Sequence, residues 1–337
     1  MSASDGEAAM RETAPLEQQP MTRQAGGVSA IDRPAGHHLY LHSEDLDGWL
    51  APPNEPLLPV YRECFRELEG LCATEGGVRH ELRIVLNSGK SANYLEAQAR
   101  GFGGRYVIGS NGAAWRVVGG ETRWFVPPAE DFLTLRALLG IPPDAVGVVR
   151  PALPGQGVEV VIEPGKRVGG GDVILTLFTD PAAVRKRWTF RGGIDRNALY
   201  DLLWSLIEAH RLNLAVLEPH ADGALDVVPR VEERALAKWT LPLLTGPAFP
   251  GAVLHLTHGG DGSADLAAMQ APGVIPLSAA GCVATAEEAA RRGVLSSRGP
   301  VEGLGPLDCY AQLARRGFYG PLSTRVAEVV GRFLPEM

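Results

Sequence analysis

Long apolar runs are missing. Nowhere in the 337 residues does an uninterrupted apolar stretch approach the roughly 18 residues that a membrane-spanning helix needs. Residues 1–20 lack the charged-then-apolar order of a secretory signal. Basic residues are outnumbered, 32 Lys and Arg against 39 Asp and Glu, for a net charge of −7. That excludes the broad cationic face of a nucleic-acid-binding protein, and any anion site has to be built locally. Cysteine is sparse, four residues (Cys64, Cys72, Cys282 and Cys309) with no CxxC pair. Neither a thiolate metal site nor a disulfide framework is therefore expected, and the thiols read as reduced and mostly buried. These absences describe a soluble, cytoplasmic protein with no membrane or nucleic-acid partner.

What is present is a chain 45% hydrophobic, enough for one sizeable core or two modest domains. Residues 1–36, rich in Ala, Gly, Ser, Gln and charge without periodicity, read as a disordered leader. The apolar strand His38–Leu41 then runs into the acidic turn Ser43–Gly48. From Pro59 to Cys72 apolar residues recur at three- and four-residue steps, which predicts an amphipathic helix. A strand at Leu82–Leu86, a helix across Ser91–Arg100 and a strand at Tyr106–Gly109 complete the alternation of a parallel sheet with crossover helices.

The middle third changes style. Hairpin arms at Trp115–Val118 and Trp124–Val126, a helix at Glu130–Leu139, strands at Val158–Ile162 and Val173–Phe178, a helix at Asp195–His210 and a hairpin at Leu214–Val228 form an α+β module. The glycine-rich segment Gly165–Gly171 lacks the Lys-Ser/Thr and following helix of a phosphate loop and reads as a flexible turn. The first style then returns, with a helix at Ala235–Leu244, a strand at Ala252–Leu256 and a helix at Ala264–Gln270. One α/β domain is thus interrupted by another.

Open α/β sheets place chemistry at the carboxyl ends of their strands. Three such ends carry suggestive residues: Asp45 and Asp47, Ser88 and Lys90, and Asp261 and Asp265. A carboxylate nucleophile can split phosphate-ester hydrolysis into two steps through an aspartyl-phosphate. A second carboxylate two residues along can protonate the leaving alcohol and later activate water. Acidic oxygens beside a phosphate call for a hard cation such as Mg2+, and a hydroxyl with backbone amides can hold the remaining phosphoryl oxygens.

In that order the segments resemble the motifs of the haloacid dehalogenase (HAD) superfamily. Asp45-Leu46-Asp47-Gly48-Trp49-Leu50 resembles the first motif, DxDG(T)L, Ser88-Gly89-Lys90 the second, and Gly260-Asp261-Gly262-Ser263-Ala264-Asp265 the fourth, GDxxxD. Ser110-Asn111-Gly112-Ala113 is similar to the NGA step of the Cof-type and sugar-phosphatase branch. The resemblance implies a Rossmann-like parallel-sheet HAD core at 37–115 and 229–337, with an inserted α+β cap at 116–228. It implies Asp45 as nucleophile and Mg2+ ligand, and Asp47 as general acid/base lending its backbone carbonyl to the metal. Ser88 and Gly89 would hold phosphate, Asp261 would be a further ligand, and Asp265 would support it. Lys90, Asn111 and Arg187 are candidate substrate contacts, the last from a basic run (Arg185, Lys186, Arg187, Arg191) whose default reading is a solvated face.

Two positions depart from the pattern. The third motif should supply a Lys, and an ungapped reading of Pro229–Ala235 puts Arg234 there, with Lys238 the runner-up; Arg keeps the charge but not the geometry of Lys. Trp49 stands where Thr is usual, either packing under the cap or narrowing the phosphate pocket. The implied activity is Mg2+-dependent hydrolysis of a small phosphate monoester, a sugar or polyol phosphate. A sugar phosphomutase and a catalytically weak HAD fold kept for binding are the alternatives. The histidines at 37, 38, 42, 255 and 258 lack HExxH spacing and read as structural, and Trp188 and Trp204 as cap core.

Overall fold

The computed structural model describes residues 36–152, 159–180, 194–217, 224–231, 234–235, 249–296 and 304–334. The leader expected at 1–36, apart from Gly36, lies outside them, as do Arg187 with its basic run, Trp188 and Lys238.

The chain enters through β1 (Gly36–Glu44), which reaches further both ways than its apolar centre predicts. Helix α1 (Pro59–Leu68) follows, then β2 (Cys72–Glu75), β3 (Val78–Asn87), α2 (Ala92–Arg100) and β4 (Tyr106–Gly109). The helix expected to reach Cys72 stops at Leu68, and Cys72 opens a strand antiparallel to β3. Gly70, at φ +76°, turns the chain in the left-handed region that favours glycine. The arms β5 (Ala114–Val117) and β6 (Thr122–Trp124) hydrogen-bond onward from β4, so this hairpin continues the first sheet.

A second sheet holds β7 (Gly147–Val149), β8 (Val160–Ile162), β11 (Leu175–Phe178), β12 (Leu214–Val216), β13 (Ala224–Val231) and β14 (Arg234–Ala235). Its strand order is β12-β13-β11-β8-β7, with β14 on β13. The small hairpin β9 (Arg167–Val168) and β10 (Gly171–Asp172) takes the place of the plain turn expected there. Helices α3 (Asp131–Leu138) and α4 (Arg196–Ala209) cover one face of this sheet. Asp195 caps α4, its side chain accepting from the Asn197 and Ala198 amides. Leu175, Leu177, Leu225 and Val227 meet Leu135, Leu199 and Leu203 beneath the helices. The alternate residues Thr176, Phe178, Ala224 and Asp226 line a cavity on the other face, as the two-residue period of a strand requires. Trp204 is not core: it is 38% exposed, with the Arg230 guanidinium 5.3 Å from its ring centre.

The chain returns to the first sheet as β15 (Val253–Gly259) and β16 (Val274–Leu277), with α5 (Ser263–Met269), α6 (Val283–Arg291), α7 (Gly305–Arg315) and α8 (Ser323–Phe333) around them. The order is β16-β15-β1-β3-β4-β5-β6, parallel from β16 to β4. Both faces of its central strands are buried. Tyr40, Leu82, Ile84 and Leu86 pack with Phe65, Leu95, Tyr310 and Val326 of the helices. Leu39, Leu41, Val85 and Leu256 form a separate cluster on the opposite face. Arg234 and Ala235 pair with β13 instead of starting a helix; the remainder of that expected helix, 236–244, lies outside the described residues. No helix among the described residues is long and apolar enough to cross a membrane.

Near the amino-terminal ends of β1, β3 and β15 the sheet carries histidines. His38 Nδ1 lies 2.8 Å from His255 Nε2, and the Tyr40 hydroxyl 3.1 Å from His80 Nδ1. Burial, and then the neighbouring histidines, push the pKa values of His80 and His255 below the ordinary histidine value. A group easier to protonate unfolded than folded stabilises the fold above its unfolded pKa and withdraws that stability as pH falls. Tm is therefore expected to fall as pH drops below about 6.5, and His80→Gln/His255→Gln should flatten that slope. Equal slopes in thermal melts of the two proteins would show that the pair does not couple folding to pH.

Candidate active site

The order of the first sheet reverses at β1, flanked by β3 on one side and β15 on the other. Open α/β sheets bind ligands at such a switch point, beyond the strand carboxyl ends. Asp45 continues the ladder past β1 through its amide, which donates to the Gly259 carbonyl at 2.9 Å. Ser88 follows β3, Asn111 follows β4 and Asp261 follows β15. These strand ends contribute Asp45, Asp47, Ser88, Asn111 and Asp261 to the lining of one cavity of about 310 Å³. Gly89, Lys90 and Asp265 line it as well.

One carboxylate oxygen from each of Asp45, Asp261 and Asp265 lies within 4.8 Å of the other two. Like charges so close repel by the order of 3–4 kcal/mol per pair at a protein-like effective dielectric, so this donor set suits a hard divalent cation. Gly48, at φ +77°, passes against it; a Cβ there would overlap the Asp261 carboxylate, so this turn requires glycine twice over. Asp265 is 1% exposed and held from both sides. Its Oδ2 accepts the Gly262 amide at 3.1 Å and its Oδ1 lies 2.9 Å from His258 Nε2. His258 Nδ1 is 2.8 Å from the Ser43 hydroxyl, which accepts from Asn87 Nδ2 at 3.1 Å. With Ser43 donating to Nδ1, every donor in this chain finds an acceptor and the last proton points at the acidic cluster. Sequence reading treats His258 as structural and misses this link, because Ser43, Asn87 and His258 sit on three different strands.

Asp47 occupies the other side of the turn. Its Oδ1 accepts the Asn54 amide at 2.8 Å, and its Oδ2 pairs with Lys90 Nζ at 3.0 Å. Lys90 also donates to Asn54 Oδ1 at 2.6 Å. Trp49 takes neither place considered for it. It is fully buried and absent from the cavity wall, and its indole N–H donates to Glu44 Oε2. Glu44, itself fully buried, also accepts from the Tyr310 hydroxyl at 2.7 Å. The indole thus packs below the turn, tying it to α7.

The second sheet closes the cavity with Glu163, Lys166, Thr176 and Asp226, none of which sequence reading singled out. Lys166, placed by sequence in a flexible turn, is 2% exposed. Its ammonium donates to Thr176 Oγ1 at 2.6 Å and lies 3.4 Å from Asp226 Oδ1 and 3.3 Å from Glu163 Oε2. Burial works against that charge, but Asp226 and Glu163 outweigh it and raise the pKa. Asn111 bridges the sheets, donating through Nδ2 to Asp226 Oδ2 at 2.8 Å.

No protein-family model and no curated protein sequence matches the chain. Solved structures do match in shape. A Thermoplasma acidophilum protein aligns at TM-score 0.51 and 15% identity, over 84% of this chain and 100% of its own. A haloacid dehalogenase-like hydrolase from Bacteroides thetaiotaomicron aligns at TM-score 0.51 and 14% identity, over 79% and 97%. A second protein from that organism, described among phosphatases of the superfamily, aligns at TM-score 0.50 and 16% identity, over 86% and 99%. The chain has the fold of the haloacid dehalogenase-like hydrolases, with additional strands and helices set into it.

Proposed function

We propose that the protein is a Mg2+-dependent phosphatase acting on a small phosphate monoester, a sugar or polyol phosphate. The observation that carries this reading is the convergence of Asp45, Asp47, Ser88 and Asp261, from separate strand ends, on one cavity. Asp45 attacks phosphorus and the ester oxygen departs with a proton from Asp47. Water then attacks the aspartyl-phosphate, Asp47 takes its proton, and phosphate leaves with Asp45 restored. Ser88 and the Gly89 amide hold the phosphoryl oxygens, and Lys90 and Asn111 face the rest of the substrate. Asp45, Asp261 and the Asp47 carbonyl would hold a Mg2+ ion, supported by Asp265, and the ion would supply positive charge to offset the negative charge of the nucleophile and the phosphate.

The fixed cation of the third motif is assigned to Arg234, with Lys238 as runner-up, and Arg187 is a further substrate contact. In the same reading the core is 37–115 with 229–337 and the cap is 116–228, although sheet pairing would start the cap after Trp124. Incubation with sugar and polyol phosphates and Mg2+ tests the reading. Release of inorganic phosphate supports it, isomerised sugar phosphate without release makes the protein a mutase, and binding without turnover leaves a non-catalytic HAD fold.

A further inference from the structure

The cavity wall supplied by the second sheet has used its donors and kept its acceptors. An ammonium has three hydrogens, and those of Lys166 face Thr176 Oγ1, Asp226 Oδ1 and Glu163 Oε2. The Thr176 hydroxyl hydrogen is committed to Asp226 Oδ1. Across the cavity, the Lys90 ammonium is engaged by Asp47 and Asn54. Acceptors remain. Asn111 Oδ1 is buried and has no hydrogen-bond partner among the described residues, although the same side chain donates to Asp226. Asn111 is fully buried and lines the cavity, where its Oδ1 faces the space that a Cβ on Gly89 would enter, 3.1 Å away. A buried amide oxygen left unmatched costs on the order of 1–3 kcal/mol, so a ligand that brings a donor to it is favoured.

The charges point the same way. Lys166 contributes one positive charge, and Glu163 and Asp226 two negative ones, giving this wall a formal −1. Among the three, Glu163 keeps the most contact with the open cavity, its side chain 12% exposed against 3% for Lys166 and 4% for Asp226. Phe178 and Ala224 add a short apolar surface beside them, suited to the C–H face of a carbon chain or ring. Among the described residues, a second anion on the substrate would meet no uncommitted cation here and would face a net negative wall.

We propose that this wall selects a leaving group that carries hydroxyls and no carboxylate, with Asn111 Oδ1 receiving a hydroxyl and Glu163 excluding the anion. The proposal rests on the phosphatase reading only for the phosphate at the other end of the ligand. Its test is therefore a binding ratio that does not depend on turnover. The probes are glycerol 3-phosphate and 3-phosphoglycerate, which share a three-carbon skeleton and a phosphate and differ in a terminal CH2OH against a carboxylate. Calorimetric titration into Asp45→Asn protein with Mg2+ should show glycerol 3-phosphate binding tighter by about tenfold or more, since like charges brought together cost several kcal/mol. Adding Glu163→Gln should bring the two affinities to within about threefold of each other, while Glu163→Asp, which keeps the charge, should preserve most of the preference. Because each protein is read as a ratio of two ligands, a general loss of affinity cancels. Tighter or equal binding of 3-phosphoglycerate, a ratio unmoved by Glu163→Gln, or failure of both probes to bind would overturn the proposal. Absence of phosphate release by the unmodified protein would contradict the phosphatase reading alone, because the binding ratio stands apart from it.

Discussion

Asp45→Asn is expected to lower phosphate release by about a thousandfold or more while leaving the fold intact. The amide matches the carboxylate in size, so the 6% of the residue that reaches solvent and its packing beneath the cavity need not change. What disappears is the nucleophile, and no neighbouring group has the same position at the end of β1. The substitution also removes one charge from the Asp45, Asp261 and Asp265 cluster. In metal-free protein this relieves repulsion, so Tm should hold or rise as activity vanishes. Purified Asp45→Asn protein retaining a tenth of the original rate would show that the nucleophile lies elsewhere.

Withdrawal of the divalent cation is expected to have an effect of the same size. Treatment with EDTA should stop phosphate release and Mg2+ should restore it, because the acidic cluster and the substrate phosphate are all anionic. A readout without turnover is available: Mg2+ should raise Tm with increasing concentration, as any ligand selective for the folded state does. Asp261→Asn should shift that titration to higher Mg2+. A metal found instead among His38, His80 and His255 would replace this account with a zinc-type site.

Motif positions were legible from the chain because each follows a strand that reads clearly by itself. Leu82–Leu86 and Tyr106–Gly109 lie within β3 and at β4, and Asp45, Ser88 and Asp261 fall just beyond strand ends. Elements fixed by tertiary pairing were harder to read. Cys72 fits the helical spacing of α1, yet it is drawn into a strand by β3, and the hairpin after Ala113 resembles the middle module until β4 claims it. Lys166 was illegible for a related reason. Surrounded by Gly165, Arg167 and Gly169 it looks like a solvated turn, and its burial is decided by Thr176 and Asp226, 10 and 60 residues away. Trp49 could be weighed only against the motif it departs from; its partner Glu44 lies 5 residues away, and the other partner of Glu44, Tyr310, lies 266 residues from Glu44.

The central claim is that Asp45 carries the phosphoryl group between the two halves of the reaction, and it can be observed directly. Unmodified protein turning over a sugar phosphate with Mg2+ is quenched in acid, digested and analysed by mass spectrometry. The account predicts a phosphorylated peptide containing residues 45–48, with the modification on Asp45, absent when Mg2+ is omitted and absent from Asp45→Asn protein. Phosphate release with no labelled aspartate, or a label on Asp47 or Asp261 instead, would contradict it.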